Sequence, residues 1–597
     1  MKRWMTPGLM PLLTFLAAVG LAGCGGGGGG DGVGGTPQDP SEAVATSGPF
    51  SALSRDTVPS GAGVDVTGRD YFAMAAGNRW VHASRPSAAP GNESTVSVEA
   101  QGPADADGFL RLNEVSAPSP QINRYRVTAA GLELAEPLSA VSDAPGVAAA
   151  LPSVLVVPTP FPPAGQQRAL VRQGPLGADA DGDGLGDTFR LEFRSTFVGF
   201  ESTMVLGQSR QSAHFRHVIT LIVAGSKDGR HRTVTQSQDA YLVDGLGEVE
   251  SRTSPTLVDG VSQADGETRT LVRARIGNLH VTADGTVLER HAAIGRPVFD
   301  PVRGVYHAAE AAAGAGNQDG TLLTIDPARG VLGSASIPVA GPGPIALSAS
   351  GDALLVGSQT TGELVRLRLP GLTESGRLAL PADPGWGRRF PVDIAASPID
   401  GGLFAVATEK RDGFLPLNAG VFLVRDLAVL PRATPAGASS NKVCFDASGQ
   451  WLAGLDTENG LPALRGLKVL ADGVENTARL DLRDAAPAGY GLGCWAGQVG
   501  VAQLVADLPA SASARAVPDA LACTRLTGST RLACIDALSM VDLKILDAST
   551  FVEVGRVRVA VDLGVSSTSL ELVPGAAGQV LVKWGDGFSV VTSPKLK

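Results

Sequence analysis

Residues 344–380, PIALSASGDALLVGSQTTGELVRLRLPGLTESGRLAL, constrain the fold more than any other part of the chain. An apolar run (Ile345-Ala346-Leu347) meets a polar turn at Ser350-Gly351-Asp352, and a second run follows at Ala353-Leu354-Leu355-Val356. A Gly-bounded turn leads into the alternating stretch from Leu364 to Leu369, and a last turn into Gly376-Arg377-Leu378-Ala379-Leu380. Apolar runs of strand length between Gly, Ser and Asp turns predict four short strands in one antiparallel sheet. Alone, such a sheet has two unpaired edges and too little core. Copies packed face to face around a ring, a propeller, remove both problems.

The pattern recurs. Units begin near Pro297, Pro344, Pro391 and Lys442; a degenerate one starts near Gly491, and two more carry Thr530-Arg531-Leu532-Ala533-Cys534 and Gln579-Val580-Leu581-Val582. About 326 residues at a period of roughly 40–50 predict seven blades over 270–597. Residues 272–290 are available to complete the last blade, so that both ends of the region close the ring. The phrases "LLTIDPARG", "LKILDAST" and "IALSASGDALLVGS" resemble the YVTN-type or lactonase-like seven-bladed propellers. Asp326-Pro327 and Asp547-Ala548 within them read as hairpin residues. A tandem of immunoglobulin-like sandwiches is the other fold open to this pattern.

Residues 48–260 carry strands without the repeat, and predict an antiparallel β domain. Asp70 to His82 reads as an entry strand, a Gly77-Asn78 turn and a second strand. The phrases "YFAMAAGNRWV", "FVGFESTMVLG", "HFRHVITL" and "AYLVDGLGEVESRTS" are similar to a recurrent domain of bacterial surface lipoproteins. The fold class expected for the whole chain is all-β.

The N-terminus reads separately. Lys2 and Arg3 precede an apolar segment from Leu9 to Leu21 that is too short for a membrane span. Leu21-Ala22-Gly23-Cys24 resembles a bacterial lipobox. That resemblance implies a signal peptide over 1–23, cleavage before Cys24 and a diacylglycerol carried on its thiol, with palmitate among the acyl chains of the lipoprotein. Three acyl chains anchor essentially permanently. Gly at position 25 implies sorting to the outer membrane. Residues 24–47, rich in Gly, Pro and Ser, form a tether, and roughly 25 such residues reach about 25–30 Å. The formal charge of −10 argues against a nucleic-acid partner.

The sharpest local motif is Asp179-Ala180-Asp181-Gly182-Asp183-Gly184-Leu185-Gly186-Asp187. Its spacing resembles an EF-hand-like or thrombospondin-type loop, which implies structural Ca²⁺ held by Asp179, Asp181, Asp183, the Leu185 carbonyl and Asp187. Arg190 stands where an EF-hand has its bidentate Glu, and Glu192 lies two residues on. An acidic turn that binds nothing is the alternative. His214 and His217, three apart, read as surface residues on opposite faces of a strand, and His231 as a turn residue without a partner.

With Cys24 set aside, Cys444, Cys494, Cys523 and Cys534 remain, an even number suited to an oxidising compartment. Four cysteines permit three pairings, or four free thiols. A Gly528-Ser529 hairpin turn sets Cys523 opposite Cys534, on a hydrogen-bonded pair by outward counting. Cys444 and Cys494 occupy matching positions in neighbouring repeats.

No GxSxG, HExxH, Walker or Rossmann pattern occurs. The expected function is an outer-membrane-anchored lipoprotein acting as a non-catalytic binding or scaffold module for an envelope protein or glycan. The alternative is a lactonase or glycan-cleaving enzyme with acidic residues or metal in the central channel, for which Asp393 and Asp446 are the candidates.

Overall fold

The computed structural model describes residues 48–597 apart from short internal stretches, the longest being 136–144, 311–318, 483–490 and 560–569. Cys24 and Asp181 lie outside the described residues. Two compact units divide at residues 277–284.

The first unit is one antiparallel sheet. Its central order is Thr188–Val205, Gln208–Ala224, His231–Val243, Gly247–Thr253, Glu267–Ile276 and Arg79–Pro86. Strands Ser94–Gln101, Leu110–Val115, Gln121–Thr128, Gly131–Ala135 and Ser153–Pro158 extend it on one side. Gln167–Pro175 and Leu53–Thr57 extend it on the other. Alternate residues face a shared interior, where the rings of Phe161, Phe197 and Phe215 lie 5.0–5.2 Å apart. The expected entry strand at Asp70 does not form. Asp70 Oδ1 instead accepts from the backbone N–H groups of Phe72 and Ala73, and Ala73 turns to φ 36. This side-chain turn competes with ladder pairing and converts the apolar run into an irregular cover.

Strand Glu267–Ile276, inside the range expected for the ring, pairs instead with Gly247–Thr253 and Arg79–Pro86 of the first unit.

The second unit is the β-propeller. Six four-stranded antiparallel sheets follow in chain order. Their innermost strands are Val298–Asp300, Pro342–Leu347, Phe390–Ala396, Lys442–Phe445, Leu492–Trp495 and Ala520–Arg525. A seventh array comprises Glu571–Pro574, Gln579–Trp584 and Gly587–Thr592, and its fourth strand is Gly285–Arg290 from the start of the unit. We number these arrays as blades 1 to 7. Each innermost strand lies beside the next, and blade 7 lies beside blade 1.

The cores explain why the ring closes. Each main hydrophobic cluster straddles one seam. Leu322 and Ile337 of blade 1 pack on Leu354 and Val356 of blade 2; Ile545 of blade 6 packs on Val580 and Trp584 of blade 7; and Leu323 of blade 1 packs on Leu581 and Phe588 of blade 7. A single blade has no core of its own, so its apolar faces are covered only when both neighbours are present. At the closing strand, Gly285 has φ +132, and a Cβ there would lie 2.0 Å from the Thr592 carbonyl oxygen. Only glycine permits that approach.

The cysteines sit at disulfide distance in two pairs. Cys444 and Cys494 have sulfurs 2.09 Å apart and join the innermost strands of blades 4 and 5, while Cys523 and Cys534 are 2.14 Å apart within blade 6. The register corrects the outward count. Leu526 N–H donates to the Arg531 carbonyl across a four-residue turn, which shifts the alternation by one and sets Cys523 and Cys534 on a non-hydrogen-bonded pair. That is the closer kind of pair, and the Cα atoms are 4.1 Å apart.

Candidate functional site

The most unusual chemistry of the second unit gathers around its innermost strands. Arg296 precedes blade 1 and extends across the ring. Its Nη1 donates to Asp393 Oδ2 of blade 3 at 2.9 Å and to the Val443 carbonyl of blade 4 at 3.3 Å. Its Nη2 donates to the Leu492 carbonyl of blade 5 at 2.7 Å, and its Nε pairs with Glu571 Oε1 of blade 7 at 3.0 Å. One planar guanidinium thus engages four blades besides its own. The side chain is 22% exposed, against 5% for Asp393 and 7% for Glu571.

Local structure aims each partner. The pairing of Phe390–Ala396 shifts register between Pro391 and Asp393, an irregularity of the kind that re-aims a side chain. Asp393 Oδ2 also accepts from Val443 N–H at 2.8 Å, tying blade 3 to blade 4. Glu571 opens the innermost strand of blade 7 and stands directly opposite Lys583. Leu492 opens the innermost strand of blade 5, so the cluster sits where these strands begin. The Cys444–Cys494 link lies one residue beyond Val443 and two beyond Leu492, which fixes both acceptor carbonyls relative to each other.

The electrostatics divide the two carboxylates. Burial pushes Asp393 above its ordinary range, and the Arg296 charge and the Val443 N–H offset this only in part. Burial opposes ionisation of Glu571 too, but Lys442, Arg296 and Lys583 together bring it below its ordinary value. Burial lowers Lys583 against the attraction of Glu571. The result is a mixed-charge cluster with buried acids and a partly exposed guanidinium that holds both of them. Chemically it is a latch, because each carboxylate already has the guanidinium as its counter-ion.

Of the two aspartates singled out in the sequence, Asp393 belongs to this cluster and Asp446 does not. Asp446 caps its own turn, accepting from Trp451 N–H at 3.1 Å and from Ser448 Oγ at 2.6 Å. Asp547 likewise serves a hairpin; the Ser549 hydroxyl and the backbone and hydroxyl of Thr550 hold it at about 2. Arg296 and Glu571 were not among the candidates. Their partners lie far off in sequence, and no local pattern marks either.

In the first unit, Asp179 accepts from Asp183 N–H at 3.2 Å and Gly184 N–H at 2.7 Å. Asp183 accepts from Leu185 N–H at 2.7 Å and from Ser226 Oγ at 3.0 Å, while Asp187 accepts from Ser226 N–H at 2.7 Å. The Leu185 side chain is exposed. Glu192 faces Arg190 and Arg194 rather than this loop. Among the described residues no group of three or more His, Cys, Asp or Glu side chains is placed to hold a metal; Asp181, the fourth carboxylate of the motif, falls outside them.

The histidines depart from expectation. His214 is buried against Tyr241, with rings 4.5 Å apart, and lies between Glu201 and Asp239. His217 is buried beside Phe193, and burial drives it down to about 3. His231 has its Nε2 at 3.0 Å from the Gly48 carbonyl. His217 stacks with Phe193 and Phe215, while Tyr241, Glu201 and Asp239 cover His214, so both positions lose solvent.

No protein-family model matches the chain, and no curated protein matches its sequence. Among solved structures it is similar to the β-propeller domain of Myceliophteria thermophila Cps50 (Swd1), with 11% identity, TM-score 0.36, and coverage of 51% of this chain and 97% of that one. It is also similar to dihydro-heme d1 dehydrogenase NirN in complex with DHE, at 16% identity and TM-score 0.35, covering 52% and 66%. Kuenenia stuttgartiensis hydrazine synthase is similar at 11% identity and TM-score 0.38, covering 51% and 96%. The propeller architecture here rests on the sheets, their order and the seam cores.

Proposed function

We propose that the chain is an outer-membrane-anchored lipoprotein of the bacterial cell envelope, tethered through lipidated Cys24, whose propeller is a non-catalytic binding or scaffold module for an envelope protein or glycan. The observation that carries this reading is the capture of Asp393 and Glu571 by Arg296. A general base or nucleophile needs a carboxylate free to act on substrate, whereas this pair is committed to holding five blades together. A structural Ca²⁺ in the 179–187 loop belongs to the same proposal, as a stiffener of the first unit.

The test has two arms. Cys24→Ala should move the chain from the membrane pellet to the soluble fraction, and retention in the pellet defeats the anchor. Crosslinking of the anchored protein in envelopes should give a discrete partner or glycan adduct, lost when the ring is opened by Gly285→Val. The second reading, a lactonase or glycan-cleaving enzyme, draws on the elevated pKa of Asp393. Turnover of a lactone or glycan panel that vanishes in Asp393→Asn would replace the first reading with the second.

A further inference from the structure

Arg296 engages both acids of the ring cluster, and this leaves two other cations there without a contact counter-ion. Lys442 opens the innermost strand of blade 4, one residue before the Val443 carbonyl that accepts from Arg296. Lys583 stands directly opposite Glu571, which pairs with Arg296 Nε. The backbone therefore roots one lysine beside each of two contacts of the guanidinium, in blades 4 and 7.

Among the described residues, no carboxylate lies at ion-pair distance from either ammonium, and neither has a hydrogen-bond partner. Both lysines are only partly buried, and each Nζ still reaches solvent. They share one neighbourhood. Burial aside, Lys442 and Lys583 both lower Glu571, and Lys442 works against the charge on Lys583. The cluster thus sets three cations, Arg296, Lys442 and Lys583, against two acids, Asp393 and Glu571, a surplus of one positive charge. Two half-desolvated ammoniums without contact counter-ions repel each other, and a group that accepts from both removes that repulsion.

We propose that Lys442 and Lys583 together bind the carboxylate of a ligand at this end of the ring, each ammonium donating to one carboxylate oxygen. The proposal names a ligand class for the binding module above and rests on that reading. One negative charge matches the surplus. A phosphate dianion would exceed it beside Asp393 and Glu571, and an uncharged molecule would leave the two ammoniums opposed. The carboxylate of an acidic sugar and that of a peptide share this chemistry.

The test is calorimetric titration of the full chain at low ionic strength with glucuronate, N-acetylglycine, glucose, N-acetylglycinamide and inorganic phosphate. At least one carboxylate should bind saturably, and about tenfold more tightly than its neutral counterpart and than phosphate. The ranking of glucuronate against N-acetylglycine separates a sugar acid from a peptide acid. Lys442→Gln and Lys583→Gln should each weaken that binding about tenfold. Lys468→Gln, exposed on the third strand of blade 4, should leave it unchanged. The proposal is overturned by absence of saturable binding, by equal affinity for charged and neutral probes, by tighter binding of phosphate, or by undiminished binding in both lysine variants. The comparison among probes on the unaltered chain decides the matter even if a variant does not fold. Any of these failures with the envelope adduct still formed removes the carboxylate site alone, whereas carboxylate binding without an adduct removes the envelope partner.

Discussion

Replacing Arg296 by Met removes the guanidinium while keeping an apolar stem of similar length. The change leaves Asp393 and Glu571, 5% and 7% exposed, without their shared cation, and frees the Val443 and Leu492 carbonyls. Breaking a buried pair from one side costs about 3–5 kcal/mol. Arg296 itself is 22% exposed, so water reaches part of the cluster and the lower end, about 3 kcal/mol, applies. For a ring of this size that corresponds to a fall in Tm of roughly 5 °C or somewhat more, read by calorimetry. The pH dependence sharpens the test. Asp393 already sits above its unfolded pKa, so the folded state binds its proton more tightly and the group's contribution falls as pH rises through the folded value. Without Arg296 that value rises further, so the deficit should be larger at pH 8 than at pH 5. Adding Asp393→Asn should recover much of the loss, because a neutral amide leaves no orphan charge. A variant that melts within about 1 °C of the parent at both pH values refutes the latch.

Three further outcomes are expected. Asp181→Ala with Asp183→Ala should remove one bound Ca²⁺ per chain, measured by metal analysis, and lower the Tm of the first unit; unchanged metal content rules the site out. Gly285→Val, whose side chain meets the Thr592 carbonyl, should open blade 7, giving early protease cleavage near 284–291 and a loss of several kcal/mol; a protected ring with the parent Tm contradicts the closure. Cys494→Ser should cost about 2–4 kcal/mol, since it frees a link spanning 50 residues beside the Arg296 acceptors, and unchanged denaturant midpoints would show that the link adds nothing.

The propeller was legible because each blade is encoded locally. At the Ser350-Gly351-Asp352 turn, the hydroxyls of Ser348 and Ser350 donate to Asp352 Oδ1, so the turn signal and the turn geometry are the same residues. Legibility ends where geometry depends on distant partners or on parity. Arg296 meets acceptors 97, 147 and 196 residues away, and nothing near it in sequence records them. The Cys523–Cys534 face turned on a four-residue rather than a two-residue hairpin, a difference Thr527-Gly528-Ser529-Thr530 does not announce. Residues Tyr71 to Ala76 carry the apolar content of a strand, yet one carboxylate two residues upstream of Phe72 diverts them into the cover.

Strand Gly285–Arg290 is synthesised first in its unit and finds its mate, Gly587–Thr592, only after the six other blades have been made. Until then an apolar edge waits unpaired, a template for the wrong neighbour. Loss of Gly587–Thr592 should therefore weaken the ring as a whole, and a nascent chain would need shielding until that strand arrives.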